Sequence, residues 1–107
     1  MTEQWKKVAR LADLESEYPT RIRLGDREVA LCLVDGEVFA IDNICSHACA
    51  FLSDGYLEGH ELFCPMHGGS FDVRTGAAVG APCTVGLAVF PTRIENGEVL
   101  LDAELVA

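Results

Sequence analysis

Cys45-Ser46-His47 and Cys64-Pro65-Met66-His67, with sixteen residues between them, each offer one thiolate and one imidazole at a spacing that a tight loop can point inward. Together they make four soft or borderline donors on two loops, a set that suits a metal centre. Two Cys and two His can also close a tetrahedral zinc site, but zinc fingers usually segregate a Cys pair from a His pair. Here both loops mix the two types, which favours two metal atoms with different ligands.

Outward from these loops the chain reads as strands. Trp5 to Ala9 starts the series, Leu11 to Glu15 is a short helical or turn segment, and Thr20 to Leu24 alternates with the period of a half-buried strand. Arg27 to Val34 pairs with Glu37 to Asp42 across Asp35-Gly36, a dipeptide that accepts positive φ. Cys32, inside Ala30-Leu31-Cys32-Leu33-Val34, is expected to be a small buried apolar residue. Asn43 to Ser53 is the first ligand loop. Gly55 to Glu58 and Glu61 to Cys64 read as a hairpin around Gly59-His60, which puts the second ligand loop at a strand end and His60 in a solvated turn. Ser70 to Val73 leads through the Arg74-Thr75-Gly76 turn to Ala77-Ala78-Val79-Gly80-Ala81-Pro82, a small apolar segment able to lie flat over a metal site. Leu87 to Glu95 and Glu98 to Leu101 close the chain as a hairpin through Asn96-Gly97. Many short strands, regular turns and almost no helix predict an all-β fold, a small β-sandwich in one domain spanning residues 1–107.

Composition narrows the function. A formal charge of −9 argues against nucleic acid or an anionic membrane as partner and points to a basic protein. The first residues show no basic or apolar leader, and no run approaches the length of a membrane span, so a cytoplasmic protein is expected. Five cysteines, an odd number, fit a reducing compartment better than a disulfide framework.

Continued through Pro65 and Gly68-Gly69-Ser70-Phe71-Asp72, the two-loop pattern resembles the motif of the Rieske family. The resemblance implies one [2Fe-2S] cluster, with Cys45 and Cys64 on one iron and His47 and His67 on the other. It also implies a cluster-binding subdomain over about residues 43–82 inserted in a larger β base, a cover formed by Gly80-Ala81-Pro82, and electron exit on the histidine side. Including Asp72-Val73-Arg74-Thr75-Gly76 and Pro82-Cys83-Thr84-Val85, the whole chain resembles the small Rieske-type ferredoxins of bacterial multicomponent aromatic-ring dioxygenases. The function so implied is that of a one-electron carrier, expected to be monomeric, between an NAD(P)H-dependent flavoprotein reductase and a terminal Rieske oxygenase. Ala48, Phe51, Leu52, Pro65, Met66 and Pro82, rimmed by Asp54 and Glu58, would form its docking patch, with packing inside the subdomain as the alternative for Phe51 and Leu52.

Two departures from the respiratory Rieske pattern carry consequences. Where that pattern has a Ser and a Tyr whose hydroxyls raise the potential, this chain has Gly69 and Phe71, so a potential near the low end of the Rieske range, about −150 mV, is expected. Met66 replaces a cysteine that ties the two loops, so that disulfide cannot form; Cys49 and Cys83 are expected to be free or packed thiols, with a Cys49–Cys83 bridge as the alternative. With the cluster made, only His60 is left, too few histidines for the two-His, one-carboxylate iron site of an oxygenase, so the chain is not expected to be an enzyme. The rival readings are the Rieske-like small subunit of an assimilatory nitrite reductase and a zinc-binding interaction module.

Overall fold

The computed structural model describes residues 5–45, 50–66, 68–81 and 85–102. Eleven strands are found among them: β1 (Trp5–Arg10), β2 (Thr20–Leu24), β3 (Arg27–Val34), β4 (Glu37–Asp42), β5 (Tyr56–Glu58), β6 (Glu61–Phe63), β7 (Ser70–Asp72), β8 (Ala78–Gly80), β9 (Val89–Phe90), β10 (Thr92–Glu95) and β11 (Glu98–Asp102). The only helical pieces there are single 3-10 turns at Leu11–Asp13 and Leu52–Asp54. No helix among the described residues is long and apolar enough to cross a membrane.

The strands make three sheets, ordered β1-β11-β10, β2-β3-β4-β9 and β5-β6-β7-β8, all paired antiparallel. The middle sheet is shared by two cores, and β3 shows why. Its run Val29-Ala30-Leu31-Cys32 is buried on both faces, as a near-continuous apolar strand requires. Val29 and Leu31 point one way, into a core completed by Val38, Ala40, Phe90, Val99 and Leu101. Ala30 and Cys32, one residue out of phase, point the other way with Ile41, into a core shared with Leu52, Leu57, Leu62, Phe71 and Val73. That second core also holds Cys45 and Cys64, so the candidate ligands rest on the back of the middle sheet. Cys32 is the small buried residue expected, and burial pushes its thiol up to about 12.

Two hairpin turns follow from residue type. Asp35 and Gly36 have φ of 51° and 82°, and Asn96 and Gly97 have φ of 51° and 76°, the left-handed pair that a two-residue turn demands. Two expectations are corrected. Leu87 to Glu95 is not one strand: Pro91 separates β9, which pairs with β4, from β10, which pairs with β11, so the chain changes sheets at a residue with no N–H to give. Ala78–Gly80, expected to lie flat over the site, forms β8, the edge strand beside β7. His60 is half-buried rather than solvated. Its ring meets Phe39 edge-on at 5.5 Å, and its carbonyl accepts the Val73 N–H at 2.9 Å.

Candidate metal centre

The first ligand loop leaves β4 through Asn43, whose side chain is fully buried. A buried amide must satisfy its donors and acceptor, and Asn43 does so within the loop base. Its Nδ2 donates to Glu28 Oε1 at 3.2 Å and to Ser53 Oγ at 3.0 Å, while its Oδ1 accepts the Ser53 N–H at 2.7 Å. Glu28 is held in turn by Arg21, Nε to Oε1 and Nη2 to Oε2, both at 2.8 Å. The hydrogen bond from Arg21 is the main reason the Glu28 carboxyl is lowered to about 2, with Asn43 adding to it. The same guanidinium lies 4.5 Å from the centre of the Phe51 ring. Phe51 bridges Ile44, and the Cys45 N–H reaches the Ala50 carbonyl at 3.0 Å, closing the loop just below its ligand positions.

The second loop is the tip of the β6–β7 hairpin. Phe63 pairs with Ser70, and the Cys64 N–H donates to the Gly69 carbonyl at 2.7 Å. Ser70 is fully buried and its hydroxyl donates to the Glu61 carboxylate one step back along β6. Gly55 lies against this hairpin so closely that a Cβ there would collide with the Phe63 carbonyl.

Cys45 and Cys64 are 4% and 2% exposed, and their side chains are hydrogen-bonded to each other. Neither is in a disulfide. Burial, foremost, and the neighbouring Cys45 raise the Cys64 thiol, while the Met66 backbone N–H on it works in the opposite direction. Two unbridged thiols converging from different loops in an apolar setting fit the cysteine half of a two-iron centre. His47 and His67 lie outside the described residues, as do Cys49, Cys83 and Pro82, and with them the Cys49–Cys83 bridge.

Of the expected docking patch, Met66 (48% exposed) and Pro65 are open to solvent, and so are Asp54 and Glu58 at its rim. Leu52 is fully buried and packs the second core instead, and Phe51 is half-buried under Arg21. Ala48 and Pro82 fall outside the described residues.

Sequence reading missed the Arg21–Glu28–Asn43–Ser53 chain, because its members are scattered and each alone is an ordinary surface residue type. It also missed a signal that was in plain sight. Between Arg27 and Arg93 the only cation is Arg74, which is tied to Asp72 at 2.9 Å. Residues 28–73 carry eight carboxylates and no Lys or Arg. The half of the chain that bears the loops is therefore strongly anionic, and the other cations gather on β1, β2, β10 and the first residue of β3.

The profile of the Rieske [2Fe-2S] domain matches residues 4–91. The ferredoxin component of the naphthalene 1,2-dioxygenase/salicylate 5-hydroxylase systems of a Ralstonia species is 42% identical over 104 residues, covering 97% of this chain and 100% of the relative. Among solved structures, the Sphingomonas yanoikuyae B1 ferredoxin superposes with a TM-score of 0.87 at 38% identity, covering 94% of this chain and 98% of that one. A chain from a complex of reduced oxygenase and oxidized ferredoxin in carbazole 1,9a-dioxygenase matches with the same TM-score at 36% identity, covering 95% of both chains. The chain belongs to the Rieske [2Fe-2S] domain family, whose cofactor is a two-iron, two-sulfide cluster.

Proposed function

We propose that this protein is a Rieske-type ferredoxin that carries single electrons from an NAD(P)H-dependent flavoprotein reductase to a terminal aromatic-ring dioxygenase. Cys45 and Cys64 hold one iron and His47 and His67 the other. The observation that carries the reading is the convergence of two buried, unbridged, hydrogen-bonded thiols from two separately anchored loops. When bound, the cluster supplies reversible one-electron chemistry. The rest is the work of the chain. The second core keeps water from the thiol side, and the two loop anchors fix the spacing of the ligands. Residues 43–82 act as the cluster-binding subdomain, carried by the β base within one domain.

Relatives that are ferredoxin components of dioxygenase systems support this reading over that of a nitrite reductase small subunit or a zinc module. A carrier fed from NAD(P)H works where that nucleotide is kept, so we place it in the cytoplasm. The anionic loop-bearing half suits brief, salt-sensitive encounters with basic partners.

The test is the purified protein itself. It should be red-brown, contain two irons per chain and give a reduced-state electron spin signal of the mixed Cys/His type, and Cys64→Ser and His67→Ala should each abolish the signal. A colourless, iron-free protein, or one whose single metal is zinc, would end the proposal.

A further inference from the structure

The loop-bearing sheet has a second distinctive feature away from the ligands. Its edge strand β5 is covered by the segment before β2, where the Leu57 N–H donates to the Glu17 carbonyl at 2.8 Å. Where the two meet lies a cleft of about 490 Å³, lined among others by Glu17, Tyr18, Tyr56 and Glu58. Both tyrosines are unusually open for aromatic residues, Tyr18 at 53% and Tyr56 at 45% exposed. Tyr56 is also rigid: its ring stacks on Phe63 with centroids 4.9 Å apart and planes 9° off parallel. Phe63 is the residue before Cys64, so the cleft is linked to the second ligand loop through one stacked ring.

Two exposed aromatic residues beside two carboxylates, with no cation among the described lining residues, match the chemistry of a guanidinium. It stacks flat on a ring and pairs with a carboxylate through a planar fork, whereas an ammonium does neither as well. Tyrosine is also among the residues that most often anchor protein interfaces. We propose that the Tyr18–Tyr56 cleft receives an arginine side chain of the redox partner and so anchors the partner beside the second ligand loop. This rests on the electron-carrier reading above, through the existence of a protein partner, and it goes further by naming a contact apart from the Met66 tip.

The probe is N-acetyl-arginine amide, added to isotope-labelled holoprotein and followed by NMR, with N-acetyl-lysine amide in parallel. Saturable shifts centred on residues 16–18 and 56–59 are expected, with at least threefold weaker binding in Tyr18→Ala and in Glu17→Gln/Glu58→Gln. Tyr18 is exposed, so its loss leaves folding and the visible spectrum intact. An Asp26→Asn control removes an acidic charge from the β2–β3 turn, at the opposite end of that hairpin from Thr20, and should leave binding unchanged. The proposal is overturned by shifts spread over the whole acidic surface, by equal weakening in the control, or by an equal response to the lysine amide. A red protein with a silent cleft would sink only the anchor. A colourless protein that still binds arginine would sink the carrier reading and with it the redox partner, leaving only the arginine-binding cleft.

Discussion

The two ligand loops do the same job with different bonds. The first is tied by side chains: Asn43 gathers Glu28 and Ser53, and Arg21 holds Glu28 from outside. The second is tied by backbone, as the tip of a hairpin closed by the Cys64 to Gly69 bond and by the ladder of β6 and β7, with one side-chain bond from Ser70 to Glu61 added. A backbone-tied loop depends on strand pairing that many sequences can supply. A side-chain-tied loop depends on particular residues, two of them charged, and should be the weaker point against mutation and acid. That contrast makes unequal demands on equivalent substitutions.

The largest effect is expected at Asn43. Asn43→Ala removes three hydrogen bonds at once and leaves the half-buried Ser53 N–H without its acceptor, so a loss of roughly 2–3 kcal/mol is expected. Urea titration of the holoprotein should show a lower midpoint, and the visible absorption should bleach faster at fixed urea. Ser70→Ala, the matching deletion in the second loop, removes one hydrogen bond and leaves the ladder in place. About 1 kcal/mol is expected there. Equal losses in the two variants would erase the distinction between the loops.

Acid should find the same asymmetry. Glu28 is held at about 2 against an ordinary 4.5, so its contribution to stability is complete above the unfolded value and is lost as the pH falls through the folded one. Arg21→Gln removes the main cause of that shift. The stability gap between wild type and Arg21→Gln should therefore be full above pH 4.5 and close as the pH falls toward 2. A gap that widened in acid would mean that the pair does not work in this way. Thermal midpoints measured across that range decide it.

How far the sequence could be read follows the same division. Backbone features announce themselves locally. Asp35-Gly36 and Asn96-Gly97 are turn dipeptides wherever they stand, and the unbroken apolar run of β3 marks a strand with cores on both sides. The Cys and His spacing identified the family for the same reason, since a ligand loop is a short local pattern. Long-range side-chain work left no such trace. Nothing in the sequence around Asn43 says that Glu28 and Ser53 will meet there, or that Leu52 turns inward while Met66 points outward. β8 went unread because Ala78-Val79-Gly80 has no strand pattern of its own. It forms as the outer neighbour of β7, where a Cβ on Gly80 would collide with the Ser70 hydroxyl. The split at Pro91 could have been read more strictly, since a proline inside an apparent strand argues for an edge or a break.

The smallest effect expected is none at all, and it concerns the reduction potential. A hydroxyl near a cluster sulfur stabilises the reduced form and raises the potential. Gly69 and Phe71 supply none, and the Ser70 hydroxyl, close in sequence to the Cys64 loop, is committed to Glu61. Ser70→Ala should therefore weaken the fold without moving the midpoint, which should stay near the low end of the Rieske range, about −150 mV. Spectroelectrochemical titration of the two proteins side by side would show coincident curves. A midpoint that dropped in Ser70→Ala would mean that the hydroxyl serves the cluster rather than the hairpin, and a clearly positive midpoint in the wild type would mean that another donor has taken the place of the missing Ser and Tyr.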